Sequence, residues 1–400
     1  IAIKPDFAEA HCNLGNVFKE LGKLDEAVEN YNKALAIKPD YAEAHNNLGA
    51  SLQDLRRLDE AVVSYSKALA IRPDYAEAHS NLGNTLKALG RLDEAAVSCN
   101  KAISIKPDYA KAHFNLGHVL QELGKFDDSF IHHRRAIKLN PENNTFWAGL
   151  ANSLTSISFT SIDDDLLQDL LSLVDQPTVR PSNIVHPILS ALGHHAAFPQ
   201  ALTLVETLTP DSHIDFHHTV AQLSTIPLFL RLIALTHIAD LKVERMLTYL
   251  RGLMLQETIA GNMNDDSLPF TSALALHCFT NEYIFAETDE ETLSIEHLQK
   301  QISVLVEQKR DMPSYLIVTL ATYRPLHKFD WAQDLTEHEW GKEVSAVIER
   351  QILEPFTELS LRSQFPCLTP VEDTVSKSVR DQYEENPYPR WVKTDLIEKS

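Results

Sequence analysis

The sequence predicts an all-α chain: a helix–turn–helix superhelix, then a mainly helical domain, then a proline-rich connector. Two observations carry that prediction. Residues 8–143 hold one pattern written four times without a gap, at 8–41, 42–75, 76–109 and 110–143. An interval of 34 residues is that of stacked helix pairs. Beyond the array, apolar residues recur at helical spacing, whereas strand-like alternation is scarce.

Residues 1–7 read as the tail of a preceding repeat. The chain opens on Ile1 rather than Met, so at least one further repeat is expected upstream. Within each copy His11, His45, His79 and His113 lead, and Leu14, Leu48, Leu82 and Leu116 follow. Gly15, Gly49, Gly83 and Gly117 come next, and with Ala27 and its counterparts they are small where two helices must approach. Extra bulk there would cost about 1–3 kcal/mol. Gly22, Gly90 and Gly124 stand where the first helix gives way to the second, a place for a left-handed cap. Arg56 holds that place in the second copy, so a slightly different turn is expected there. Leu-Asp-Glu-Ala at 24–27, 58–61 and 92–95 opens each second helix with acids against the positive end of its dipole. Pro39, Pro73, Pro107 and Pro141 then stop it. Asp6, Asp40 and Asp74, each three residues before a Glu, predict an aspartate version of the capping box. No helix pair buries its apolar stripe alone, so stability is expected from stacking.

The pattern weakens toward its end. Lys111 replaces the Glu, Ser129 the small Ala, and His133 the aromatic residue or Cys of the second helix. A fifth first helix is expected at 144–156, with Trp147 and Leu150 in place and Ala151 for the glycine. Residues 144–175 thus read as a degenerate fifth repeat that caps the array. Asp163, Asp164 and Asp165 read as the acidic first turn of a helix at 166–174, the other reading being a catalytic carboxylate cluster. Residues 176–183 read as a linker. Residues 184–364 read as a helical middle domain, with Val243, Met246, Leu247, Leu250 and Met254 on one face. Further helices are expected at 293–306, introduced by the acidic stretch 288–291, and at 340–356. The longest apolar run, 226–238, is too short to cross a bilayer and contains Arg231 and His237; it reads as a core helix. Residues 365–400 read as a connector.

A net charge of −20, with 23% charged and 44% apolar residues, describes an ordinary globular chain without a basic footprint. No nucleic-acid and no membrane partner is therefore expected. Cys12, Cys99, Cys278 and Cys367 are far apart, which points to reduced, buried thiols in a cytoplasmic protein. The histidine pairs His132–His133, His194–His195 and His217–His218, and His213 four before His217, invite a metal reading. None has HExxH or Cys/His spacing, and no metal site is expected. Beyond Gly149 only Gly193, Gly252, Gly261 and Gly341 remain, too scattered to form a phosphate or dinucleotide loop. No GxSxG elbow occurs either. No catalytic residue and no cofactor site is expected within 1–400.

The best candidate for function is the inner surface lined by the first helices. Asn13, Asn47, Asn81 and Asn115 each stand two positions before the glycine, and Asn16 and Asn84 add a partial second row. An amide donates and accepts at once, which suits the backbone of an extended peptide whatever its side chains. Each such bond contributes about 0.5–1.5 kcal/mol, so several rungs are needed. The other reading of the row is helix-to-helix contact.

The repeats resemble the tetratricopeptide repeat family, with His where that family often has Trp. The resemblance implies a right-handed superhelix with a protein or peptide partner in its groove. The asparagine row is similar to that of O-linked N-acetylglucosamine transferases, where such amides hold an extended peptide. A second resemblance lies in 376–392, SKSVRDQYEENPYPRWV, through Tyr383, Asn386, Pro387, Tyr388, Pro389, Arg390 and Trp391. It resembles the segment before the catalytic domain in bacterial proteins that fuse these repeats to a class I S-adenosylmethionine-dependent methyltransferase. Residues 275–285 (ALHCFTNEYIF), 321–326 (ATYRPL) and 351–355 (QILEP) fall in that family's order. This resemblance implies that methyl transfer, S-adenosylmethionine and its glycine-rich loop belong beyond Ser400. Pro387 and Pro389 stiffen a segment that is either a docked linker or a cover for a substrate. Two other assignments share the repeats: the arm of an O-linked N-acetylglucosamine or SPINDLY-type glycosyltransferase, and a stand-alone adaptor.

Overall fold

The structure, a computed structural model, describes residues 7–207 and 214–362, and every regular element among them is helical. The chain divides after Ile157 into two compact units. The first is a solenoid of helix pairs: α1 (Ala8–Glu20) with α2 (Leu24–Ile37), α3 (Ala42–Asp54) with α4 (Leu58–Ile71), α5 (Ala76–Ala88) with α6 (Leu92–Ile105), and α7 (Ala110–Glu122) with α8 (Phe126–Leu139). Helix α9 (Asn144–Leu154) follows. Each even helix also packs on the next odd one, and successive odd helices touch one another. The odd helices therefore line the inside of the curve and the even helices its outside.

Glycine makes each pair close. A Cβ on Gly15 would lie 2.6 Å from the Tyr31 ring, on Gly49 2.8 Å from Tyr65, and on Gly117 2.6 Å from His133, while Gly83 lies against Cys99 Sγ. Tyr, Cys and His are thus alternative plugs for one backbone gap, which is how the fourth repeat accommodates His133. Ser129, in place of the small Ala, is buried and donates to the Gly117 carbonyl at 2.8 Å. Gly49→Ala is expected to cost about 1–3 kcal/mol, because the fully buried Tyr65 ring has nowhere to go. Gly83→Ala should cost no less, since the Cys99 thiol can rotate but the Ala95 carbonyl and the Cys99 amide would still lie 3.1 and 3.3 Å from the new Cβ; urea titration of the two variants checks this.

From the second repeat on, the leading ring reaches back to the proline that closed the repeat before it. His45, His79 and His113 place Nε2 at 3.0, 3.1 and 3.0 Å from the carbonyls of Pro39, Pro73 and Pro107. Trp147 Nε1 donates to Pro141 at 2.8 Å. A carbonyl only accepts, so each histidine carries its proton on Nε2 and reproduces the indole N–H.

Two expectations about the turns are corrected. Arg56 does not alter its turn: it takes φ 61°, beside 72°, 74° and 73° for Gly22, Gly90 and Gly124. The closing bonds are also the same, Arg57 N to Leu52 O at 2.8 Å matching Lys23 N to Phe18 O at 2.8 Å. The side chain accepts left-handed strain of about 1–2 kcal/mol instead. Asp40 and Asp74 do not cap: the N-caps are Tyr41 and Tyr75, one residue later, and neither makes a side-chain cap bond. Asp6 lies outside the described residues. Tyr41, Tyr75 and Tyr109 instead receive Lys38, Arg72 and Lys106 over their rings, at 5.0, 4.5 and 5.4 Å.

The second unit opens with α10 (Asp164–Val174), capped by Asp163, which accepts from Leu166 N at 2.7 Å. The acidic triplet thus begins a helix. Helix α11 (Pro181–Leu192) starts inside the expected linker, on a proline at its first turn. Helices α12 (Ala197–Glu206), α13 (Phe216–Ser224) and α14 (Pro227–Leu235) follow. Helix α10 packs on α14, and Asp175 pairs with Arg231 at 2.6 Å, so α10 groups with this unit rather than with the array's cap. Helices α13 and α14 meet at 92°, and no single described helix is long and apolar enough to cross a membrane. Leu228, Phe229, Leu232 and Ile233 of α14 are core residues.

Helix α15 (Leu241–Ala260) buries Val243, Met246, Leu247, Leu250 and Met254, the face its spacing marks. Helix α16 (Leu268–Thr280) packs on α14, and α17 (Asp289–Glu307) starts from a capping box of Thr288 and Glu291. Helix α18 (Ser314–Ala321) leads to short 3-10 turns. The helix expected at 340–356 is three pieces: α19 (Lys342–Ile348), a π-turn at Glu349–Leu353, and α20 (Glu354–Arg362).

Candidate functional site

The asparagine row lies on the inner helices, and its amides knit the repeats together. Asn47 Nδ2 donates to Asn16 Oδ1 at 3.0 Å, and Asn16 also accepts from the Tyr31 hydroxyl at 2.8 Å. Asn46 donates to Asn47 Oδ1 at 3.2 Å, and Asn81 donates to Asn46 Oδ1 at 3.1 Å. Asn81 Oδ1 accepts from Lys111 Nζ at 3.0 Å. Asn115 donates to the Ser80 carbonyl and hydroxyl, at 3.2 and 3.0 Å. Every rung from the second repeat on therefore ties its helix to the inner helix one repeat back. Asn115 is buried, Asn16, Asn47, Asn81 and Asn84 are half-buried, and Asn13 is exposed. Asn84 enters none of these bonds. An amide offers two hydrogens and two lone-pair sites, so Asn47 and Asn81 each keep about half of that capacity. Gly149 stands at the equivalent place in α9, packed against Phe114, and ends the row.

Sequence spacing marks the row but not its partners. Asn46, Ser80 and Lys111 complete it, and a signal is present: position 46 and position 80 are polar on an inner helix. The surroundings are charged. Glu9, Glu43 and Glu77 are exposed at the starts of α1, α3 and α5, and Lys111 takes that place in α7. Lys19 reaches Asp54 at 3.7 Å and Lys87 reaches Glu122 at 3.8 Å, each pair bridging neighbouring repeats. Loss of water in the concavity holds the Lys111 ammonium below the usual lysine range; Lys19 adds to this, while Glu77 and Asp54 oppose it.

Histidines crowd the fourth repeat. His113 and His132 bring their Nδ1 atoms to 3.0 Å. With its Nε2 proton given to Pro107, His113 accepts there and His132 donates. His118 lies edge-on to Phe114 and His133, with ring centroids 4.5 and 5.0 Å away. Burial pushes His118 down to about 4 and His133 down to about 3. These neutral rings pack. Among the described residues no group of three or more His, Cys, Asp or Glu is placed to hold a metal ion. His194 bonds the Phe159 carbonyl, His195 accepts from Ala197 N, and His217 faces Glu257 at 3.8 Å, while His213 lies outside the described residues. Cys12, Cys99 and Cys278 are buried and free; Cys367 is outside as well.

In the second unit, the three segments at 275–285, 321–326 and 351–355 converge on one side chain. Gln351, fully buried in the π-turn, donates to the carbonyls of Ala275 and Ala321 at 3.0 and 3.1 Å. Its Oε1 accepts from the Tyr283 hydroxyl at 3.2 Å and from Leu326 N at 3.3 Å. The Tyr283 hydroxyl lies equally close to Ala321 O, so its one proton is shared between the two acceptors, and both Glu282 and Tyr283 hold left-handed backbone, φ 55° and 58°. His277 bonds the Ile233 carbonyl at 3.0 Å and accepts from Asn281 at 3.0 Å. Arg251 is buried between Tyr323 and Phe285 and donates to Ala286 O, while Arg324 grips Glu287 through both nitrogens at 2.7 and 2.8 Å. Together these segments form a framework. The candidate residues Tyr383, Asn386, Pro387, Tyr388, Pro389, Arg390 and Trp391 lie outside the described residues.

Family models described as TPR repeat match residues 15–55, 54–90 and 83–124, and one described as tetratricopeptide repeat matches 110–143. Among solved structures the chain is similar to YrrB, a TPR protein with an unusual peptide-binding site, at 19% identity over 46% of this chain and 93% of that one, TM-score 0.37. It is similar to TTC0263, a thermophilic TPR protein of Thermus thermophilus, at 22% identity over 46% and 98%, TM-score 0.37. It is also similar to the first TPR of Spaghetti (RPAP3) bound to an HSP90 peptide, at 26% identity over 29% and 93%, TM-score 0.29. No curated protein matches the sequence. The matched family models and the register of paired helices agree: residues 15–143 of this chain are tetratricopeptide repeats.

Proposed function

We propose that the array is a protein-interaction scaffold whose inner surface holds an extended segment of a partner protein. The amides of Asn47 and Asn81, half engaged and half-buried along the inner helices, carry this reading. Their remaining donors and acceptors match a peptide backbone, and Glu9, Glu43 and Glu77 beside them favour a segment bearing Lys or Arg. Binding and stability separate at Asn84. Peptides selected by display against the whole chain should bind Asn84→Ala about 2–10-fold more weakly, with the melting midpoint unchanged. Asn81→Ala should lose affinity and about 0.5–1.5 kcal/mol of stability together, because it also fastens α5 to α3. Selected peptides that bind Asn84→Ala and Asn81→Ala as tightly as the parent would reduce the row to a structural brace.

The scaffold serves, in this proposal, an S-adenosylmethionine-dependent methyltransferase whose catalytic residues and cofactor lie outside this sequence. Support comes from 376–392 and from the three segments joined by Gln351, which together make one framework and so would recur together in relatives. A complete coding frame with a strand and glycine-rich loop soon after Trp391, and methyl transfer by its product, is the expected result. A two-lobed nucleotide-sugar domain there would favour the glycosyltransferase arm, and a stop codon the adaptor.

A further inference from the structure

The outer helices carry a pattern the groove does not use. Val63, Val97 and Ile131 share one register of α4, α6 and α8 and are 54%, 71% and 60% exposed. Four residues earlier stand Asp59, Asp93 and Asp127; four later stand Lys67, Lys101 and Arg135, all exposed. Residues four apart share a helix face. Helices α4, α6 and α8 therefore each display an acid, an apolar residue and a base in line, and stacking turns these into three rows along the array.

Among the described residues nothing calls for the row. The buried stripe of α4 runs through Ala61, Tyr65 and Ala68, away from Val63. β-Branched residues are poorer helix formers than the Ala, Lys or Glu that suit an exposed site. In α2 the register holds Glu29, paired with Lys33 at 2.6 Å, so the row begins at the second repeat. Glu60 and Glu94 are taken by Arg57 and Arg91 at 2.6 Å. Among the described residues no ion pair engages the six charges that flank the row.

The pattern is its own complement. A second copy turned about an axis along the array, in the plane of contact, lays the apolar row on itself. The same rotation sets each acid opposite a base of the same repeat, Asp93 facing Lys101 of the other copy. Rotation about an axis along the helices would set acid on acid. Two-fold contacts require such self-complementarity, and like charges face to face would oppose the alternative.

We propose that this outer face is a contact between two copies of the chain. Three helices per copy offer less than the roughly 800 Å² per partner of a standard interface. Association is accordingly weak and rises with concentration.

Sedimentation velocity of the whole chain over a concentration series tests this. The parent should show a growing dimer fraction, and Val97→Glu should abolish it with an unchanged melting midpoint. Asp93→Lys and Lys101→Glu should each weaken association about fivefold or more, since each reversal spoils two symmetric pairs. The double variant should return to within about twofold of the parent, its rows being complementary again. A parent that stays monomeric at its highest soluble concentration, a dimer indifferent to Val97→Glu, or a double variant no better than the singles overturns the proposal. So does a Val97→Glu-sensitive contact with a different protein in the absence of self-association.

Discussion

Gln351→Ala lowers the stability of the second unit by about 3 kcal/mol. The side chain is fully buried and holds four groups: the carbonyls of Ala275 and Ala321, the Tyr283 hydroxyl and the Leu326 amide. A buried polar group left without its partner costs about 1–3 kcal/mol. The Leu326 amide is left without a partner, whereas Ala275 O keeps its place in the α16 ladder and Ala321 O and the Tyr283 hydroxyl keep each other at 3.2 Å. For a domain of this size, about 3 kcal/mol corresponds to a melting shift of roughly 6–12 °C. Gln351→Met fills the same space and should lose nearly as much, because the four lost hydrogen bonds, at about 0.5–1.5 kcal/mol each, and not the volume, set the cost. Scanning calorimetry decides it. Variants that melt with the parent would mean that the segments at 275–285, 321–326 and 351–355 are held by apolar packing alone.

Acid weakens the protein from about pH 6.5 downward. Burial pushes His133 down to about 3 and His277 down to about 4. Each ring is neutral when folded and titrates near 6.5 when unfolded. Their stability contribution is therefore complete above pH 6.5 and is lost progressively as the pH falls from there toward about 4 for His277 and about 3 for His133. At pH 5 each ring forfeits about 2 kcal/mol, taking 1.36 kcal/mol per pH unit. His118, also lowered but partly exposed, adds less. His133→Tyr restores the plug that Tyr31 and Tyr65 supply over Gly15 and Gly49, so it should fold and flatten this dependence in the first unit. Urea titrations at pH 7.5 and pH 5 check both statements. A His133→Tyr variant that loses as much stability in acid as the parent would mean that His133 does not carry the acid sensitivity.

What could be read from residues alone follows the reach of each interaction. The repeats are legible because every copy solves the same packing problem, with Gly15 answered by Tyr31 and Gly83 by Cys99. The face of α15 is legible because helical periodicity is local. Arg56 misleads because the surrounding pair geometry overrides the preference of its own backbone. The partners of Asn47, Asn81 and Asn115 sit a whole repeat away, and those of Gln351 are up to 76 residues distant. No periodicity reports such bonds. The asparagine row is visible as a row, but its double duty as brace and candidate groove is not.

The direct test of the groove is hydrogen–deuterium exchange on the whole chain with and without a display-selected peptide. Added protection is expected in α3, α5 and α7, with unchanged exchange in α4 and α6. Protection confined to α4 and α6, or to the second unit, with the inner helices unchanged, would contradict it.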